Sequence, residues 1–191
     1  TIYNCTVLFY FFDPANPAWV INASVRDTGS LIAYNDTVTF NYGELAAFKF
    51  FPNNITYPSV SPNDFDTGAS NDPLALNNTG NTNNSINMTA RNLLGSLNPL
   101  AFIPASNFST SNTTTQECNE THPHTTILAN ATELKTFGFL PRGNYTRAAN
   151  DGIAKEDLYL CLLHVPALLE AQTYNTAGYG PWILELNITS S

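Results

Sequence analysis

The sequence predicts an all-β fold, a β-sandwich or a jelly-roll-like domain, and three observations point to it. About ten short runs are rich in β-branched and aromatic residues, with proline, glycine and asparagine between them. Alternation is clear in residues 36–42, where Val38, Phe40 and Tyr42 share one face of the expected strand. Helical periodicity is scarce, and the 43% of hydrophobic residues in a chain of 191 suffices for one domain core.

The expected elements follow one another along the chain with two long polar interruptions. We expect loops over 61–89 and 106–125, and a short helix that starts at Pro166. Residues 43–50 fit either a helix or a strand, and their aromatic residues favour the strand. The expected strand-like runs are 2–12, 18–25, 36–42, 45–51, 54–60, 93–104, 125–130, 133–140, 144–148, 157–165 and 181–189.

Charge and the lengths of the apolar runs argue against nucleic-acid binding and against a membrane-spanning segment. The formal net charge is −8 with only 7 lysines and arginines, and nucleic-acid binding needs clustered cations to contact phosphates. No apolar run approaches the roughly 18 residues of a membrane-spanning helix, so no transmembrane segment is expected. Charged residues make up only 12% of the chain, which leaves asparagine, serine and threonine to form the polar surface.

Signals for N-glycosylation are the strongest functional feature. They number 13, more than twice what chance placement of the 25 asparagines would give, and ten of them end in threonine. Together with a first residue that is threonine, they predict a secreted cell-surface glycoprotein with a cleaved signal peptide, covalent N-glycans and no cofactor. The candidate sites are Asn4, Asn22, Asn35, Asn54, Asn77, Asn83, Asn87, Asn107, Asn112, Asn119, Asn130, Asn144 and Asn187.

The three cysteines suggest one disulfide and one remaining thiol. We expect the Cys118–Cys161 pair, which leaves Cys5 as a buried thiol or an intermolecular link, although sequence cannot fix the connectivity. Cys118 also lies close to His122 and His124, and Cys161 lies close to a further histidine, His164. Such spacing suits zinc or copper, but an oxidising extracellular setting favours a disulfide beside ordinary histidines, so no metal is expected.

Catalytic motifs are missing from the sequence. It contains no nucleophile elbow, phosphate-binding loop or dinucleotide fingerprint, so we expect no enzymatic activity and assign no catalytic residue. One Asp-Thr-Gly triplet occurs at 66–68, but a protease of that type needs two such triplets. Calcium at Asp64, Asp66 and Asp72 is an open alternative to a simple turn.

The first twelve residues, TIYNCTVLFYFF, have one apolar face when they are read as a strand. The sequon at Asn4 and Thr6 lies on the opposite face. The linker that follows contains Asp13, Pro14 and Pro17, and its prolines interrupt strand pairing. We therefore divide the chain into an N-terminal strand (1–12), a linker (13–17) and a head (18–191). The apolar face consists of Tyr3, Cys5, Val7, Phe9 and Phe11.

Two placements of this strand remain open from pattern alone. It either completes the sheet of its own head or adds to the sheet of a neighbouring copy. The first placement suits a monomeric secreted binding domain, for example one for carbohydrate, and the second suits a polymer. The aromatic residues could form a carbohydrate platform, but Trp19 and Trp182 are expected in the core.

The segments TIYNCTVLFYFF and DPANPAW, together with the dense sequons, resemble the subunits of archaeal thread filaments on Sulfolobus-type cells. The resemblance covers the whole chain at the level of architecture and rests on no catalytic motif. It implies that residues 1–12 act as a donor strand for the next subunit in a homopolymer. It also implies heavy N-glycosylation and a role in adhesion, cell–cell contact or biofilm formation.

Overall fold

The protein is built from antiparallel strands, so the predicted all-β class is confirmed. The computed structural model describes residues 4–111, 125–127, 132–133, 139–140, 142 and 154–189. One 3-10 turn, Ala105–Asn107, accompanies the strands. The strands are β1 (Asn16–Arg26), β2 (Ile32–Tyr42), β3 (Phe48–Phe51), β4 (Phe65–Gly68), β5 (Leu74–Asn78), β6 (Asn84–Thr89), β7 (Leu93–Gly95), β8 (Phe102–Ile103), β9 (Phe108–Ser111), β10 (Thr125–Thr126), β11 (Thr132–Glu133), β12 (Phe139–Leu140), β13 (Lys155–His164), β14 (Tyr174–Asn175) and β15 (Ile183–Ile188).

Strand β13 organises the largest sheet, whose order is β10-β9-β13-β5-β3. Strand β5 pairs with the first half of β13, while β4 and β9 flank its second half. Strands β4 and β5 thus lie on the same side of β13 and are interrupted only at residues 69–73. There the Asp72 carboxylate accepts the Leu160 N–H at 3.1 Å, and Ala69 donates to the Leu160 carbonyl at 3.0 Å. A side chain therefore replaces a missing ladder partner.

A second sheet forms around β6, with β15 on one side and β11 and β12 on the other. The two sheets contribute to one apolar cluster that holds the body together. Strand β15 lies within the strand-like run expected over 181–189, and its burial alternates, because Leu184 and Leu186 are half-buried while Glu185 and Asn187 are exposed. The buried members of this cluster are Leu74, Leu76, Ile86, Met88, Ala90, Ala105, Ile127, Leu140, Leu158 and Leu160.

The expected loop over 61–89 is wrong, since it contains β4, β5 and β6 and much of the core. Its many asparagines and threonines hid the strands, yet several of them are buried and hydrogen-bonded. Asn78 shows how: its Nδ2 donates to the carbonyls of Thr82 and Leu140, and its Oδ1 accepts from Gly80. These bonds let polar residues occupy the interior.

Three smaller expectations also fail. Strand β9, which is buried throughout, lies within the expected loop over 106–125, whose residues 112–124 are outside the described structure. Residues 54–60 form no strand, because Pro58 cannot donate to a ladder. The expected helix at Pro166 is absent from the described residues, and Gln172 instead fixes that loop by accepting the N–H groups of Leu97 and Asn98.

Strands β1 and β2 form a separate two-stranded hairpin in which nearly every residue is exposed. Strand β1 starts at Asn16, so Pro17 belongs to a strand rather than to the predicted linker. A register shift between Asn16 and Trp19 accommodates this proline, which fits the preference of proline for strand starts and bulges. Both tryptophans are half-buried, but Trp19 contacts Phe40 on the hairpin instead of the expected core, whereas Trp182 packs on Phe108 in the body.

Asn81 connects the hairpin to the body. Its side chain accepts the Leu45 N–H at 2.6 Å and donates to the Gly43 carbonyl at 2.9 Å, just beyond the end of β2. Its own N–H donates to the Leu45 carbonyl at 2.9 Å. The facing glycine, Gly80, leaves no room for a Cβ beside Leu45 and Ala47. This close approach fixes the position where the hairpin leaves the body.

Candidate assembly surface and modification sites

Residues 4–8 lie outside every strand that the structure describes. All five are exposed, and Val7 and Leu8 have 67% and 61% of their surface accessible. They make no hydrogen bond among the described residues. A strand-forming apolar segment is thus presented to solvent by a single copy of the chain.

Phe9 anchors the segment to the hairpin. Its ring packs on Phe40 and Tyr42, with centroids 4.9 and 5.5 Å away, and on Trp19 at 6.1 Å. Aromatic rings at these separations attract one another beyond the area that they bury. Phe9 therefore contacts its own chain, although the sequence placed it on the same apolar face as Val7.

A turn follows directly and ends the extended part of the segment. Asp13 donates its N–H to the Tyr10 carbonyl at 2.9 Å, and its carboxylate accepts the Tyr10 N–H at 2.8 Å. The Tyr42 hydroxyl also donates to the Tyr10 carbonyl, and Arg142 donates to the Phe12 carbonyl at 3.0 Å. The expected continuous strand to Phe12 is therefore not present in this structure, because these bonds close a turn instead. Residues 1–3 lie outside the described part.

The described sequons fall into two groups by exposure. Five asparagines are exposed, including two on the hairpin, whereas four others are half-buried in the body. Four more lie outside the described residues. The exposed group is Asn4, Asn22, Asn35, Asn54 and Asn187; the half-buried group is Asn77, Asn83, Asn87 and Asn107; the group outside is Asn112, Asn119, Asn130 and Asn144.

Asn107 should carry no glycan, whereas Asn22 should be occupied. The Nδ2 atom of Asn107, to which a glycan would be linked, donates to the His164 carbonyl at 2.7 Å, and Ser109 of its sequon is fully buried. Asn22 and Ser24 form the matched Asn-x-Ser sequon on the exposed hairpin. Mass spectrometry of glycopeptides from the native protein checks both sites. Full occupancy at Asn107 would show that this interior packing does not form before glycosylation.

The cysteines and histidines are only partly covered by the described residues. Cys161 is disulfide-bonded, and Cys5 carries a free, exposed thiol. The expected partner Cys118 lies outside the described residues, as do His122 and His124. The remaining histidine, His164 in β13, packs its ring on Phe65 at 4.8 Å.

Two of the three aspartates considered for calcium, Asp64 and Asp72, accept hydrogen bonds from backbone N–H groups. Asp64 accepts the N–H of Ser61, and Asp72 accepts that of Leu160. Asp66 has a left-handed backbone conformation, with φ of 52°, which is typical of aspartate in tight turns. Within the described ranges, no three histidine, cysteine, aspartate or glutamate residues are grouped as a metal site.

The surroundings of Asp72 shift the pKa of its carboxyl group. Burial raises the pKa of its carboxyl group from 3.8 to about 6, and the N–H groups of Leu160 and Ala69 partly oppose this shift. The nearby Tyr57 hydroxyl is buried and has no hydrogen-bond partner among the described residues. Burial, and secondly the Asp72 charge, raise the pKa of that tyrosine.

Comparison with known proteins gives no relative. No family model, curated protein or solved structure matches this chain. Among the described residues, no helix has the length and apolar character needed to cross a bilayer.

Proposed function

We propose that this chain is a non-enzymatic structural subunit of an extracellular, heavily N-glycosylated surface filament. Copies polymerise when the N-terminal segment of one adds a strand to the next, and the filament serves adhesion or biofilm formation. The observation that carries the proposal is the exposed, unpaired apolar segment at 4–8. An exposed strand of this kind is an aggregation hazard in a monomer, whereas a partner sheet both pairs and buries it.

The alternation within the segment supports a role as a donor strand. Cys5 and Val7 lie on one face of an extended strand, and Asn4 and Thr6 lie on the other. A strand that is received by a partner therefore buries the first face while a glycan on Asn4 stays in solvent. The turn after Phe9 fixes the point from which the segment projects.

The surface chemistry supports an extracellular polymer. Exposed sequons occur on the N-terminal segment, on the hairpin and in the body. A net charge of −8 with few cations disfavours nucleic acid as a partner. Covalent glycans are the only non-protein groups in this proposal.

Val7→Lys should abolish polymerisation, whereas Leu8→Lys should largely preserve it. Both residues are similarly exposed, but only Val7 shares the face of Cys5 that a partner would bury. Sedimentation and negative-stain microscopy of the purified full chain measure the difference. Neither substitution touches the body, so the monomers of both variants should melt like the monomer of the natural protein. Polymers of normal length from Val7→Lys, or stable monomers of the natural chain, would contradict the proposal and favour a monomeric binding domain.

A further inference from the structure

Strand β3 forms part of a long open edge of the main sheet. Its pairing with β5 continues beyond the strand, because Thr79 donates to the Ala47 carbonyl and Asn81 donates to the Leu45 carbonyl. Residues 45–51 thus face residues 75–81 in one register. Seven residues of continuous ladder make this edge longer than β3 alone.

The outer side of this ladder is unpaired. Since Leu45 and Ala47 bond towards β5, alternation turns the backbone N–H and C=O groups of Ala46, Phe48 and Phe50 to the other side. Among the described strands β3 pairs with β5 alone, at the end of the sheet, so these outward groups have no ladder partner in the part of the chain that the structure describes. They offer the row of donors and acceptors to which another strand could bond.

The core is also incompletely covered at this edge. Phe50 lies opposite Leu76, which is fully buried, and it therefore belongs to the core-facing side of the sheet. Its ring stacks on Phe48 with centroids 5.8 Å apart, and Phe48 packs on the core cluster. Nevertheless, 44% of Phe50 is exposed. A core-facing aromatic residue with this exposure indicates that a covering strand is missing.

Other exposed edges have features that discourage strand addition. The chain after β3 places prolines at 52, 58 and 62, and proline cannot donate to a ladder. Strand β15 carries the charged Glu185 and the sequon at Asn187. Residues 45–51 contain neither proline nor sequon, and their charged Lys49 lies on the face opposite Phe48 and Phe50. This edge is therefore better suited to pairing than these two.

We propose that the open edge at 45–51 receives the segment at 4–8 of a second copy of this chain as an additional strand. This inference rests on the proposed function and identifies its receiving element. The occupant is argued from the chain itself: within the described residues the apolar segment at 4–8 is unpaired, and so is the outward side of the edge at 45–51, which is long enough to receive it. In the paired state Cys5 and Val7 cover Phe50, and Asn4 points away from the core.

The free thiol of Cys5 provides a direct test in the full chain. Phe50→Cys places a second thiol on the core-facing face of the sheet at this edge. Two controls place it elsewhere: Phe51→Cys on the opposite, solvent-facing face of the same strand, and Ile183→Cys in β15. Under copper-phenanthroline oxidation, Phe50→Cys should form covalent oligomers at least about tenfold faster than either control, because a docked strand raises the local thiol concentration. Non-reducing electrophoresis measures the oligomers, and Cys5→Ser should abolish them.

The outcomes separate this inference from the proposed function. Equal cross-linking at all three positions would show that residues 45–51 are not the receiving edge. The absence of cross-links from Phe50→Cys, in protein that still forms Val7-dependent polymers, would show the same. Either result leaves the filament proposal standing. A Cys5-dependent disulfide within a single chain would show that the N-terminal segment covers the edge of its own body. This result would overturn both the receiving edge between copies and the filament proposal. Polymerisation by Phe50→Cys, together with its melting temperature, establishes that the variant is folded when the cross-links are counted.

Discussion

Asn81→Ala should lower the free energy of unfolding by about 3 kcal/mol, the largest stability effect that we expect from a polar substitution in this chain. The substitution removes the acceptor of the Leu45 N–H and the donor to the Gly43 carbonyl. Asn81 is 4% exposed, so water does not readily replace either partner. Loss of both bonds frees the segment that joins the hairpin to the body.

Equilibrium urea denaturation measures this effect, and Asn41→Ala is its matched control. Asn41 lies exposed on β2, so the same truncation there should change stability by less than about 0.5 kcal/mol. Asn81→Asp separates the two bonds, because aspartate accepts from Leu45 but cannot donate to Gly43. Equal stability of the two alanine variants would show that Asn81 does not hold this junction.

Asp72→Asn should stabilise the protein at neutral pH and leave it unchanged near pH 3. The folded-state pKa of Asp72 is raised, so the folded chain holds a proton that the unfolded chain has released, and the contribution of this carboxyl falls as pH rises from about 4 to about 6. The gain at pH 7 should be about 1 kcal/mol, after allowance for solvent screening of a half-buried group. Asparagine keeps an acceptor for the Leu160 N–H without the charge.

Thermal melts of both proteins between pH 3 and pH 8 provide the measurement. Asp157→Asn removes the same charge from an exposed position of β13 and serves as the control. The difference between Asp72→Asn and the natural chain should appear only above about pH 4 and level off above about pH 6. A difference that is constant across this range would show that ionisation of Asp72 has no part in it.

Segments with strong alternation could be predicted from the sequence. The pattern of β15 and the apolar run of β13 fit two-sided strands, and both occur where the sequence places them. The 61–89 segment was missed because its apolar residues are sparse. Its signal was the pair Leu74 and Leu76 and the pair Ile86 and Met88, each two residues apart, and buried asparagines concealed it.

The candidate site divides in the same way. The apolar character of residues 1–12 is visible in the sequence, but the sequence does not show that the exposed, unpaired segment ends at residue 8. That limit depends on Phe9 packing against Phe40 and on Arg142 reaching the Phe12 carbonyl, contacts between residues far apart in the chain. The open edge at 45–51 was equally hidden, because a strand pattern does not show which side of the strand lacks a partner.

Electron microscopy of the native protein, at concentrations where the chain is abundant, tests the central claim most directly. The proposal predicts filaments whose repeat contains one copy of the chain, with continuous density from the N-terminal segment of each copy to the β3 edge of the next. Discrete particles of monomer size at every concentration, with residues 4–8 folded onto their own body, would contradict it.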